Sequence, residues 1–497
     1  MKSRFILAIS YVAAALMGGA ALAQSVPAVP TWTLVARTQV SVPLGTVDFA
    51  GAPALKNAPA VNMVPLAKYG YVEEEYFISG TANVYAPEGE TIDFLKTYGF
   101  GGGRTVSKAD VPYKTRIIIR RPVDVAKFSG TVQIEPIRDV TEGVTTWQRA
   151  WPYLVTHGDI WIGFTVSKAN VEKMHKASDP ARYGSLEISD EGLRWDIMAQ
   201  VAGLARSAQG PLATLGFLDM ALTKPGLLRV YSSGWSLTGC MQAEFISKHH
   251  ARWQRGNGKP IIDGYLAGIC PFGGVLPVPK DAAVIQVMSE SEYQGVPELV
   301  RWVASARQPD SNAVGEKRFR WYDIAGASHA DYSDQLQFTL SLHQAGIQGA
   351  VNCADPISRL PGVSDFARAA LRNLDDWIRA GRYPPPGKLF ELNTDSTIKR
   401  DANGNALGGV RPYWTAVPLT TFVPATPDPI TGTVDGFCAL MGHEKPLPKE
   451  VLSKLYKDQA GYIDKATDIV VALVNAKYML AADGDAELAE VRKTKLP

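Results

Sequence analysis

Apolar positions along the chain fall into two alternating kinds of pattern. Short apolar runs bounded by turn residues occur at 115–119, 130–135, 159–164, 227–233, 265–269, 283–287 and 319–324. Runs of this length, rich in Val, Ile and aromatic residues, predict strands. Between and after them the apolar spacing becomes helical, at 193–206, 212–222 and 366–380. Gly381 and the Pro384-Pro385-Pro386 run stop the last of these. Strands alternating with helices predict an α/β fold with a mostly parallel central sheet flanked by helices. Residues 24–110 are Pro- and Val-rich with short alternating runs, which predicts an extended strand and loop segment packed on the body. The core is expected over 111–386. A C-terminal extension follows over 387–497, turn-rich to about 435 and helical over 448–492. No internal repeat is present. The glycine run 99–103 lacks a following Lys-Ser/Thr and a strand–turn–helix frame, so it predicts a loop and not a phosphate cradle.

The first residues carry a different signal. Lys2 and Arg4 precede an apolar run from Phe5 to Leu16, and Ala21-Leu22-Ala23 follows. A positive start, a short apolar stretch and a small-x-small site predict a secretory signal peptide cut before Gln24. The expected location is therefore the periplasm or the extracellular medium. Loss of Lys2 and Arg4 brings the formal charge of +2 to zero. A neutral chain has no basic excess for binding nucleic acid. No later apolar stretch approaches the ~20 residues needed to cross a bilayer. The composition, 46% hydrophobic and 20% charged, is that of a folded globular chain.

The four cysteines are Cys240, Cys270, Cys353 and Cys438. None forms a Cys-x-x-Cys pair and no His-rich run exists, so no metal site is expected. A Cys353–Cys438 bridge is the favoured pairing, because it ties the C-terminal part back to the body. Cys240 and Cys270 are expected either to pair or to be buried thiols.

The chemistry concentrates at Val230-Tyr231-Ser232-Ser233-Gly234-Trp235-Ser236-Leu237-Thr238-Gly239. A strand ends, a Gly-x-Ser turn follows and a helix begins at about Leu237, which is the arrangement of a nucleophile elbow. Such a turn projects Ser236 Oγ into a cleft and aims the Leu237 backbone N–H at a developing oxyanion. Thr238 stands where the usual pattern has glycine. A serine nucleophile needs a base and an orienting acid. Of the seven histidines, His329 alone lies on a loop directly after a strand and downstream of the elbow. His249 and His250, at the far end of the elbow helix, are expected to be solvated. His157, His175 and His343 lie in turn, polar or helical surroundings. The acid is expected after the strand at 283–287, in Met288-Ser289-Glu290-Ser291-Glu292-Tyr293. Glu292 is preferred and Glu290 is the alternative.

Several stretches together resemble the bacterial alpha/beta hydrolase domain-containing proteins of the Abhydrolase_10 type, over nearly the whole chain after residue 23. They are 71–82, 113–116, 128–132, Gly234-Trp235-Ser236, 325–331, 376–381 and Leu455-Tyr456. The resemblance implies an α/β-hydrolase fold, ester hydrolysis, and catalytic roles for Ser236, His329 and the Glu290/Glu292 loop. This chain departs from the family pattern in three places. The family's elbow continues Ser-Gln-Ser-Gly, where Ser236-Leu237-Thr238-Gly239 stands here. Its acid loop reads Glu-Thr-Asp, where Glu290-Ser291-Glu292 stands. Its third-strand loop reads Glu-Trp-Leu-Asn, where Glu135-Pro136-Ile137-Arg138 stands. Pro136 has no N–H to give, so the second oxyanion donor implied is Ile137 or Arg138.

The expected activity is a secreted serine carboxylesterase acting on a small-molecule ester through an acyl-enzyme, with no cofactor. The alternatives are a lactonase or acyltransferase of the same chemistry, or an inactive hydrolase-fold binding protein. Oligomeric state is left open.

Overall fold

The structure is a computed structural model that describes residues 25–36, 44–45, 64–87, 102–137, 142–223, 227–270, 274–294, 297–312, 317–332, 334, 339, 341–342, 344–345, 353–434 and 436–496. The expected signal segment 1–23 lies outside them, as do Arg138, His343 and Gly99 to Gly101. One sheet holds nine strands. They are β1 (Thr31–Val35), β2 (Tyr71–Pro87), β3 (Gly102–Pro122), β4 (Thr131–Ile137), β5 (Ile160–Thr165), β6 (Arg229–Trp235), β7 (Gly264–Gly268), β8 (Ala283–Met288) and β9 (Arg318–Asp323). The spatial order is β1-β2-β3-β5-β4-β6-β7-β8-β9. β1, β2 and β3 pair antiparallel, and β3 is antiparallel to β5. From β5 through β9 every pairing is parallel. The carboxyl ends of six strands therefore share one edge of the sheet, where their loops converge.

The described α-helices of seven residues or more are α1 (Thr145–His157), α2 (Arg194–Leu204), α3 (Leu237–Glu244), α4 (Pro297–Ala306), α5 (Ser364–Ala380), α6 (Lys449–Leu455), α7 (Gln459–Asn475) and α8 (Ala481–Lys493). They cover both faces of the sheet, which is why β4, β5, β7 and β8 are buried along their whole length. Alternate residues of a strand join opposite cores. Val284 packs with Trp195, Ile197 and Phe245 on one face. Ile285 and Val287 pack with Trp147, Leu371 and Trp377 on the other, joined there by Leu452, Tyr462 and Val491 of the C-terminal helices. Gly381, with φ +64°, ends α5 in the left-handed conformation that glycine adopts without strain.

The architecture is the α/β-hydrolase type, with an N-terminal extension and a helical C-terminal region. Local differences from expectation have physical causes. The helix expected over 212–222 is two pieces, Pro211–Thr214 and Phe217–Leu222, because Gly216 between them has φ +82°. Gly102 and Gly103, expected in a loop, open β3. The division expected at residue 110 falls inside β3, whose long antiparallel pairing with β2 makes the hairpin part of the main sheet. No helix among the described residues is long and apolar enough to cross a membrane.

Candidate active site

The elbow is built almost entirely from local geometry. Ser236 joins β6 to α3 with φ +59° and ψ −128°, a conformation costly for a residue with a side chain. Bonds on both sides hold it there. Ser236 N–H donates to Gly268 O at 3.0 Å, and Cys240 N–H donates to Ser236 O at 2.9 Å. The departure at Thr238 is accommodated in this turn. Thr238 Oγ1 accepts from Trp235 N at 2.9 Å and lies 3.0 Å from Trp235 O. The close approach that the usual glycine permits is made one residue later. A Cβ on Gly239 would stand 2.2 Å from Gly268 O, and one on Gly234 would stand 2.4 Å from Thr238 O. Leu237 opens α3, so its N–H is among those with no acceptor inside the helix.

Across the cleft, His329 lies on the loop after β9. Its Nε2 is 2.6 Å from Ser236 Oγ, and its Nδ1 is 2.6 Å from Glu292 Oε1. With Nδ1–H donating to the carboxylate, Nε2 is left to accept the serine proton. The second oxygen of Glu292 accepts from Ser289 N at 2.8 Å and from Ser289 Oγ at 2.7 Å. Burial acts to raise the Glu292 carboxyl, but the hydrogen bonds from His329 and Ser289 outweigh it and hold it below the usual range. The structure thus brings Ser236, His329 and Glu292 into one hydrogen-bonded line and leaves Glu290 out of it. Glu290 turns the other way, its Oε1 accepting the Gly326 N–H at 2.6 Å and its Oε2 paired with Arg400.

β4 lies beside β6 and leads into the loop that ends at Glu142. Ile137 ends β4 and is fully buried. Glu135 is buried as well and caps α1, accepting from Thr146 N at 2.6 Å and Trp147 N at 3.0 Å. At the far end of that loop Glu142, with φ +49°, meets Arg116 at 2.7 Å, Asn170 at 2.7 Å and His175 at 3.0 Å. Burial acts to raise its carboxyl, but His175 and Arg116 hold it down to about 2. Arg116, Asn170 and His175 therefore fix Glu142 at the point where the described chain resumes after β4.

Other expected residues fall as follows. Cys353 pairs with Cys438, and Cys240 pairs with Cys270. His249 and His250 are buried and not solvated. Beyond α3 the chain continues through the π-helical turn Phe245–His249 and the 3-10 turn His250–Arg252, which carries both rings inward. His249 stacks on Trp195, and burial pushes its imidazole down to about 3. His250 bonds Tyr265 Oη at 2.7 Å and Asp281 at 2.9 Å. Sequence reasoning missed Ser289, Ser291, Arg400 and Glu142. Only the serines lie within the loop it singled out.

The model of the alpha/beta hydrolase domain family Abhydrolase_10 matches residues 36–489, and the chain belongs to that family. No curated protein matches it in sequence. Among solved structures, an alpha-beta serine hydrolase homologue from Coxiella burnetii is 10% identical, covering 47% of this chain and 91% of its own, with a TM-score of 0.26. Est1E from Butyrivibrio proteoclasticus is 10% identical, covering 47% and 93%, at 0.24. A cold-adapted esterase from an Arctic intertidal metagenomic library is 10% identical, covering 55% and 94%, at 0.24.

Proposed function

We propose that this family member is an exported serine hydrolase that cleaves carboxylic esters through an acyl-enzyme on Ser236. One observation carries the reading: His329 stands within hydrogen-bond reach of both Ser236 Oγ and Glu292. Ser236 Oγ attacks the ester carbonyl carbon as its proton passes to His329 Nε2. The carbonyl oxygen becomes an oxyanion facing the Leu237 N–H at the start of α3 and a second N–H from Ile137 or Arg138. Collapse of the tetrahedral intermediate breaks the bond to the alkoxy oxygen, which leaves with the proton from Nε2. Water then attacks the acyl-enzyme by the same route, and carboxylic acid departs. Glu292 keeps the imidazole in the productive tautomer and stabilises the imidazolium formed in each half. Two disulfides suit an oxidising compartment and support the export read from residues 1–23.

The test is labelling of the purified protein with a fluorophosphonate probe, followed by a screen of aryl and alkyl esters of graded chain length. The probe is expected to modify Ser236 alone. A folded protein that stays unlabelled and turns over no ester overturns the proposal and favours a binding scaffold. Protein recovered from the periplasm or medium is expected to begin at Gln24.

A further inference from the structure

We propose that Arg400, far along the chain in the C-terminal extension, is a positioning residue for the acid and base of this site, acting through Glu290. The inference rests on the reading of Ser236, Glu292 and His329 given above. Glu290 is fully buried two residues before Glu292. Its Oε1 accepts the N–H of Gly326, three residues before His329, and its own N–H donates to Ala327 O at 2.9 Å. One side chain therefore clamps the loop after β8 to the loop after β9. These are the two loops that must keep Glu292 and His329 in register. The other carboxylate oxygen is held by the Arg400 guanidinium.

Neighbouring contacts point the same way. Ser291 Oγ accepts the His329 N–H at 2.9 Å and donates to Pro424 O at 2.6 Å. Ala330 N–H donates to Leu440 O at 2.8 Å. Arg400, Pro424 and Leu440 thus form a wall against both loops.

The charged groups near Glu290 are few. Arg400 contacts it directly. Arg411 lies further off and is tied to Asp401 at 2.6 Å. Glu292 and His329 are bonded to each other on the cleft side. Burial pushes the Glu290 carboxyl up, and Arg400 is the main influence opposing this. Without Arg400 the buried carboxyl is neutral at low pH, still able to accept from Gly326. As pH rises it must ionise with no opposite charge in contact, and the clamp is disturbed. The Arg400 side chain is 30% exposed, so its removal opens no large cavity.

The experiment compares R400M, R400K, E290Q and the double variant E290Q/R400M with the parent protein. Two quantities are read: kcat and KM for one aryl ester from pH 6 to 9, and the downfield Nδ1–H proton resonance of His329, assigned by its loss in H329Q. For R400M we expect kcat to fall about ten- to a hundredfold at pH 8, as for a small misplacement of a reacting group. KM should change little, the loss should deepen as pH rises, and the resonance should shift or broaden. R400K should be intermediate. E290Q/R400M should regain most of the loss and show no added alkaline limb. An unchanged R400M, a loss equal at every pH, or a double variant no better than R400M would each overturn the inference. If the parent protein turns over no ester, the esterase reading fails separately. The His329 resonance then decides alone, and its invariance in R400M overturns the positioning role.

Discussion

The side of the site that holds Ser236, the proposed nucleophile, and the side that holds His329 and Glu292, the proposed base and acid, are built on different principles. The Ser236 backbone is held by a stretch of chain running from Gly234 to Cys240, tied to the end of β7 by Gly268 O and by the Cys240–Cys270 bridge. Glu292 and His329 depend on Ser289 and Ser291, on Glu290 bridging to Gly326, and on Arg400, Pro424 and Leu440 from the extension. Geometry that is stored locally survives change elsewhere in the molecule. Geometry assembled from distant segments inherits the stability of every segment it uses. The nucleophile should therefore fail only through its own residues, and the base side through many.

The sharpest break on the local side is Ser236→Ala. Turnover of an aryl ester should fall by at least about a thousandfold while the melting temperature holds, since a small hydroxyl at a turn contributes little packing. The next largest effect separates the two glutamates of the base side. Glu292→Gln should lower kcat by about a thousand- to ten-thousandfold, because a neutral amide no longer stabilises the imidazolium. Glu290→Gln should cost less than about tenfold, since the amide oxygen still accepts from Gly326 and the partly exposed Arg400 is free to meet water. Measurement of both at pH 8 checks the contrast. If Glu290→Gln is the crippled variant, the acid has been misassigned.

The disulfides divide along the same line. Cys240–Cys270 lies under the elbow with its ends 30 positions apart, and Cys353–Cys438 spans 85 beside the His329 loop. Replacing Cys353 and Cys438 by serine should lower unfolding stability by ~2–4 kcal/mol, about 1 kcal/mol more than removing the shorter bridge. Urea melts of the two double variants measure this. The smallest effect concerns Asp323 at the end of β9, which accepts from Tyr293 Oη at 2.9 Å, Trp321 Nε1 at 2.7 Å and Phe390 N at 2.8 Å. Burial pushes its carboxyl up to about 6 against those donors. A carboxyl raised on folding favours the folded state while protonated. Its contribution should therefore be present at low pH and be lost as pH rises from about 4 through about 6. The carboxyl carbon resonance of Asp323 should titrate near 6, and a midpoint near 4 would contradict this.

The strand series was legible because strands buried on both faces are near-continuous apolar runs, as in β8. Ser236 could be singled out because it directly follows β6, and His329 because it lies on the loop after β9. The choice between Glu290 and Glu292 was not legible. Two residues apart on an extended chain, they would point alike. Glu290 instead starts the 3-10 turn Ser291–Tyr293 with φ −71° and ψ −27°, which swings the carboxylates to opposite sides. His249 and His250 misled because a helix end reads as solvent-facing until Trp195 and Tyr85 are seen to cover it. Arg400 carried no sequence signal. Its role comes from a tertiary contact 110 residues away along the chain.

The wall formed by Arg400, Pro424 and Leu440 also imposes a sequence of events in time. A chain made from its N-terminus exposes β6, the elbow and α3 long before those residues leave the ribosome. Ser236 can take up its strained turn early, whereas His329 and Glu292 acquire their backing only when the final fifth of the polypeptide arrives. A nascent chain, or one cut short before residue 400, would carry the Ser236 turn without the contacts that back His329 and Glu292. On the proposed roles, an aligned site therefore requires the chain to extend past Leu440.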